Sequence, residues 1–180
     1  SRARSRSLEQ GFFDNGDLAN DGDFVNDGDF ANDGDLVNDR RFDGRVAVVT
    51  GAGRGLGREY AMMLAALGAR VVVNDPGGSL DGVGGDTGPA HDVVREILDA
   101  GGQAVVSTDS VSTPNGGRAI IDTAQQNFGG VDIVVHNAGI VRRASLQDMT
   151  YDDFDAVLDV HLRGAFHVVR PAFPVMCAAG

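Results

Sequence analysis

Beyond about residue 45, short continuous apolar runs alternate with stretches whose apolar residues recur every three or four positions. The runs are Arg45–Thr50 (RVAVVT), Ala69–Asn74 (ARVVVN), Gln103–Thr108 (QAVVST) and Val131–Val135 (VDIVV). They are short, β-branched and bounded by glycine or polar residues, which reads as buried strands. The first helical stripe is Leu56, Tyr60, Met63, Leu64 and Leu67, closed by Gly68. Pro89 opens a second helix carrying Val93, Val94, Ile97 and Leu98, stopped at Gly101 and Gly102. Thr113 and Pro114 open a third, carrying Ile120, Ile121, Ala124 and Phe128, stopped at Gly129 and Gly130. Thr150 with Asp153 forms a capping-box start for a long last helix, which Pro171 and Pro174 are expected to interrupt late. Strands and helices in alternation predict an α/β fold. The expected architecture is a Rossmann-type doubly wound parallel sheet of about four strands, covered on both faces, over residues 40–180.

Residues 1–39 differ. From Asp14 to Val37 the chain repeats with period six: DNGDLA, NDGDFV, NDGDFA, NDGDLV. Each unit sets one large apolar residue among Asn, Asp and Gly, too little to bury. The reading is an acidic, solvated low-complexity tail, dispensable for nucleotide affinity. Weak calcium binding and a β-solenoid turn or partner-binding arm remain as rivals. The spacing disfavours calcium: counted from Asp17, position 3 of an EF-hand loop would be Ala19, and calcium-binding β-helix repeats have period nine.

Composition narrows the chemistry. Net charge is −11, and the nine Asp between residues 14 and 39 carry most of it. No basic patch suits nucleic acid. All 15 basic residues are Arg, so no step in this chain can use a lysine. The single cysteine, Cys177, excludes an internal disulfide and reads as a small core residue. No apolar run reaches the ~18 residues of a membrane span, and no apolar stretch follows the basic start, so neither membrane nor secretory signal is expected, and the expected compartment is cytoplasmic. His91 and His167 read as surface or edge residues, and the four histidines lack metal-ligand spacing. Chemistry must come from the loops.

The loop after the first strand, GAGRGLG at 51–57, joins a strand to a helix N-terminus. Backbone N–H groups and the helix dipole there suit a pyrophosphate, and side chains would block its approach. The pattern is T-G-x-x-x-G-x-G through Thr50, Gly51, Gly55 and Gly57, since residue 56 is Leu. Asp75 ends the second strand, 24 residues after Gly51, where a carboxylate accepts from an adenosine ribose and repels a 2′-phosphate. NAD is therefore expected over NADP. Arg54, inside the loop, argues weakly the other way.

With Asp109, Ser110 and Val111 after the third strand and HNAG at 136–139 after the fourth, the chain resembles the short-chain dehydrogenase/reductase family over about residues 42–180. Within that family RFDGRVAVVTGAGRGLGREYA, VVVNDPGG, DGVGG and VHLRGAF at 160–166 are similar to the (3R)-hydroxyacyl-CoA dehydrogenase unit of peroxisomal-type multifunctional β-oxidation enzymes. The resemblance implies a hydride-transferring oxidoreductase acting on a hydroxyl/keto substrate, a small molecule of acyl-CoA type, and a homo-oligomer at full length. It implies that Gly51, Arg54, Gly55, Leu56 and Gly57 surround the pyrophosphate and Asp75 the ribose. Asp109, Ser110 and Val111 would flank the adenine; Asn137, Ala138 and Gly139 would line the nicotinamide side.

The departures set the limits. The family's catalytic Ser and Tyr-x-x-x-Lys are expected downstream of Gly180, so the chain reads as a fragment or a product without that part. Tyr60 and Tyr151 read as structural. His136 stands where the family usually has Asn. Phe154, Leu158, His161 and Ala165 share one helical face, so His161 is either a buried core histidine or, as the resemblance implies, a proton relay. Two functions stand: an NAD-dependent dehydrogenase portion, or a nucleotide-binding module without catalysis.

Overall fold

The computed structural model describes residues 41–79 and 81–179; the hexapeptide repeat and the tail expected over 1–39 lie outside the described residues. Four parallel strands, β1 (Val46–Thr50), β2 (Arg70–Asn74), β3 (Gln103–Ser107) and β4 (Ile133–His136), form one sheet in the order β3-β2-β1-β4. The register aligns Val48 with Val72 on one side and with Val134 on the other. The chain steps outward from β1 to β3, then returns across the sheet to lay β4 against β1. That reversal puts the switch point at the C-terminal ends of β1 and β4, where α/β sheets open a crevice.

Alternation along the strands divides the core. Ala47, Val49, Val71 and Val73 point to the face covered by α1 (Gly55–Ala66) and α2 (Gly88–Asp99), packing on Ala61, Leu64, Val93 and Ile97. Val46, Val48 and Val72 point to the other face, onto Ile120, Ile121 and Ala124 of α3 (Pro114–Phe128) and Val168 and Ala172 of α5 (Gly164–Ala179). Both faces are covered, so β1 and β2 are continuous apolar runs. Thr113 caps α3, its hydroxyl accepting from the Gly116 N–H at 3.0 Å.

Several expectations are corrected. On α1, Leu56, Tyr60 and Met63 are exposed; Gly57, Ala61, Leu64 and Ala65 make the buried face. The helix lies so close to the sheet and loop that small residues carry the contact and large ones turn outward. On α2, Leu98 is exposed while Val93 and Ile97 are buried. β4 starts at Ile133, not Val131. The carboxylate of Asp132 instead accepts from the Val46 N–H at 2.7 Å and from Arg45 at 2.8 Å. Burial raises the Asp132 pKa, but these bonds outweigh it and the net shift is downward. Among the described strands β4 pairs with β1 alone, leaving its outer edge open.

The last helical region is α4 (Tyr151–Leu158), a π turn over Asp159–Arg163, then α5. One extra residue per turn in the π segment shifts the helical face. Phe154, before the π turn, and His161, within it, are both exposed rather than on a buried stripe. α5 continues through Pro171 and Pro174 to Ala179. Pro171 cannot donate to the His167 carbonyl, and that oxygen lies where a Cβ on Gly117 would come within 2.4 Å. His167 is part-buried, not at an edge, and its Nδ1 lies 2.9 Å from the Val111 carbonyl. Cys177, Tyr60 and Tyr151 are exposed and belong to no core. No helix among the described residues is long and apolar enough to cross a membrane.

Candidate functional site

The loop from Thr50 to Gly55 turns β1 into α1. Gly51 (φ 64°) and Gly55 (φ 55°) adopt left-handed conformations that disfavour any side chain. A Cβ on Gly57 would lie 2.1 Å from the Gly51 carbonyl oxygen and 2.5 Å from Asn137 Nδ2, so helix and loop touch there backbone to backbone. Arg54, the N-cap residue, makes no side-chain cap bond. Gly55 and Leu56 line the adjoining cleft, which meets the uncapped N-terminal end of α1.

Asp75 follows β2 and faces the same loop. Its Oδ2 accepts from the Gly53 N–H at 2.9 Å and its Oδ1 from the Gly77 N–H at 2.7 Å. Each oxygen keeps acceptor capacity. Buried Asn74, the last residue of β2, donates from Nδ2 across to the end of β3, to the Ser107 carbonyl at 3.2 Å and the Asp109 carbonyl at 2.9 Å. This fixes the turn that brings Ser110 and Val111 into the cleft.

Thr50 joins β1 to the end of β4. Its Oγ1, fully buried, accepts from the N–H groups of Asn137 and Ala138, each at 3.1 Å. Asn137 Nδ2 donates back to the carbonyls of Thr50 and Gly51, both at 3.1 Å. Two amide donors occupy the Thr50 lone pairs, so its hydroxyl hydrogen goes to His136 Nδ1, 3.3 Å away, and the His136 proton sits on Nε2. Nε2 is buried with no hydrogen-bond partner. Burial pulls the His136 pKa down; backbone groups of Val160 and His161 oppose this, and the neighbouring His161 ring adds to it.

Ten of the expected residues, Gly51, Arg54, Gly55, Leu56, Asp75, Ser110, Val111, Asn137, Ala138 and Gly139, line one open cleft of about 800 Å³. Gly57, Asp109 and His161 are not among its lining residues: Gly57 packs beneath the loop and Asp109 turns its carboxylate to Ser107 Oγ at 3.2 Å. His161, exposed rather than core, has Nε2 3.0 Å from both the N–H and the carbonyl of Ile140, and its ring would clash with a Cβ on Gly139. Sequence reasoning missed Ile140, Arg142 and the rim loop at Ser79 and Gly82. The glycines at 77–85 were a signal for a close-lying loop. Nothing in the pattern marked Arg142, whose Nε is buried 3.7 Å from Asp153.

A parallel sheet with a glycine turn, an acid after β2 and a crevice at the switch point defines a Rossmann-like dinucleotide-binding domain. The model of the short chain dehydrogenase family matches residues 45–180, and the chain belongs to that family. It is 55% identical over 130 residues to a short-chain type dehydrogenase/reductase of Mycobacterium tuberculosis, covering 72% of this chain and 46% of that protein. It is 53% identical over 136 residues to peroxisomal multifunctional enzyme type 2 of Drosophila melanogaster, covering 76% of this chain and 22% of that enzyme. The crystal structure of a short chain dehydrogenase from Mycobacterium avium matches with a TM-score of 0.68 at 47% identity, over 74% of this chain and 48% of that one. The chain thus spans less than half the length of these relatives. Membership makes it part of an oxidoreductase family that uses a nicotinamide cofactor on a small-molecule substrate.

Proposed function

We propose that the cleft binds NAD in preference to NADP, as the cofactor half of a dehydrogenase for 3-hydroxyacyl-CoA. The observation that carries this is the convergence of the 51–55 loop, Asp75, Ser110–Val111 and Ala138–Gly139 on one cleft. The residues fit the group. The α1 N-terminal end lacks a side-chain cap, and a Cβ on Gly51 would meet Ala138 Cα at 2.9 Å, so the cradle excludes side chains. The first-turn N–H groups would hold the pyrophosphate. Asp75 would accept from the adenosine ribose, and Ala138 and Gly139 would flank the nicotinamide. The cofactor supplies hydride acceptance and return. The thioester substrate class is supported by the VHLRGAF and VVVNDPGG motifs and by the likeness to a peroxisomal multifunctional enzyme.

We also propose that the 180-residue chain does not turn over by itself, which favours a binding-module role for it in isolation. A substrate hydroxyl must lose its proton as hydride leaves. A tyrosine titrating near 10 serves only when a neighbouring cation lowers it, and loss of such a base costs roughly 10²–10⁴ in rate. The chain has no Lys, and neither Tyr60 nor Tyr151 lines the cleft. The test has two arms. Calorimetry should give tighter binding of NAD than of NADP, with Asp75→Ala narrowing the gap; tighter NADP in the unmodified chain refutes the role of Asp75. NAD reduction with a 3-hydroxyacyl-CoA should stay at background, and ordinary turnover by the purified chain would force another base onto the cleft.

A further inference from the structure

Asp86 has no part in the reading above, yet it is tied into the same turn as Asp75. Its N–H donates to the Gly77 carbonyl at 2.9 Å, while the Gly77 N–H donates to Asp75 Oδ1 at 2.7 Å. A Cβ on Gly77 would fall 2.1 Å from the Asp86 carbonyl oxygen, so the two arms of the rim loop meet where only glycine fits. Asp86 Oδ1 accepts from the Gly88 N–H at 3.0 Å, holding the start of α2, whose N-cap Thr87 gives no side-chain bond. Asp86 Oδ2 lies 3.5 Å from Arg54 Nη2. The Gly53 N–H, next to Arg54, returns to Asp75 Oδ2 and closes the circuit.

Arg54 is the sole cation of the 51–57 loop and lines the cleft. A guanidinium there is suited to a phosphate on the ribose that Asp75 faces. For a 2′-phosphate to engage Arg54, the Arg54–Asp86 pair would have to open. We infer that Asp86 is a specificity-determining residue: by pairing with Arg54 it withholds the loop's cation from a 2′-phosphate and reinforces the selection of NAD made by Asp75. This rests on the NAD reading above. Both partners are more than half exposed, so the effect is modest and salt-sensitive.

The test is a double-mutant cycle on the 180-residue chain: unmodified, Asp86→Asn, Arg54→Gln and both together, titrated calorimetrically with NAD and NADP. Asn keeps an acceptor for the Gly88 N–H, and circular dichroism melts check that folding is retained. Asp86→Asn should tighten NADP by roughly three- to tenfold and change NAD by less than about twofold. In the Arg54→Gln background the gain should fall below about twofold, because there is no cation to release. Arg54→Gln alone should change NAD and NADP affinity by factors equal to within about twofold, since its charge is already engaged and gives the 2′-phosphate nothing extra; this arm stands even if Asp86→Asn misfolds. An unchanged NADP/NAD ratio in Asp86→Asn, an equal gain with and without Arg54, or a large loss in Arg54→Gln that falls on NADP and not on NAD overturns the inference. A preference for NADP in the unmodified chain refutes the NAD reading alone, because the cycle compares changes. Binding of neither dinucleotide refutes both.

Discussion

Thr50→Val removes one hydroxyl from the junction of β1 and β4 and keeps the side chain's shape. In the native arrangement that oxygen accepts from the Asn137 and Ala138 N–H groups, both at 3.1 Å, in a residue with no exposure. Valine orphans both donors. Each orphaned buried group costs about 1–3 kcal/mol. Asn137 and Ala138 are themselves only half-buried, so water can reach part of the gap and the expected total is about 2–4 kcal/mol. Against a domain stability of roughly 5–15 kcal/mol this is a large fraction. It should lower Tm by roughly 10 °C. The damage is also local: Ala138 lies against Gly51, so the cradle widens where a dinucleotide would sit. Thr50→Ser keeps the oxygen and should recover most of the loss. The assay is urea unfolding followed by circular dichroism, with NAD titrated into each variant. The reasoning fails if Thr50→Val stays within about 0.5 kcal/mol of the parent. It also fails if Thr50→Ser is as damaging as Thr50→Val.

Two further perturbations test the same junction. Gly57→Ala puts a methyl 2.1 Å from a backbone oxygen, so thermal melting should show a loss of at least about 1–3 kcal/mol and NAD binding should vanish; binding at parental affinity would mean that α1 can move off the loop. Burial holds the His136 pKa below its ordinary value, so the unfolded chain binds the proton more readily than the native one. Stability is then fully present above about pH 6.5 and is lost as pH falls toward the native pKa. His136→Asn should flatten that part of the unfolding profile below about pH 6.5, while the loss from Asp132, whose pKa is lowered, comes only below about pH 4. An unchanged slope in His136→Asn would exclude His136 as its source.

The strands and the third helix were legible because their signals are local. Val71–Val73 are apolar on every position because both faces of a parallel sheet are covered, and Thr113 followed by Pro114 is a helix start whatever lies around it. The glycine loop and Asp75 were legible for a similar reason: loop conformation and spacing within one strand–helix–strand unit are written contiguously. What the sequence could not determine depends on approach distances between separate elements. The α1 face was misjudged because hydrophobicity favours Leu56 and Met63, whereas the closeness of α1 to the sheet favours Gly57 and Ala61. The face carrying His161 was misjudged because a helical stripe shows which residues share a face, not whether another element covers it; Phe154, ahead of the π turn, is exposed as well. The partners of Thr50 and Arg54 lie 87 and 32 positions along the chain, at Asn137 and Asp86. Only folding of the sheet in the order β3-β2-β1-β4 brings those groups within hydrogen-bonding and ion-pairing reach, because such contacts fall off within a few ångströms while the chain between them is unconstrained by local propensity.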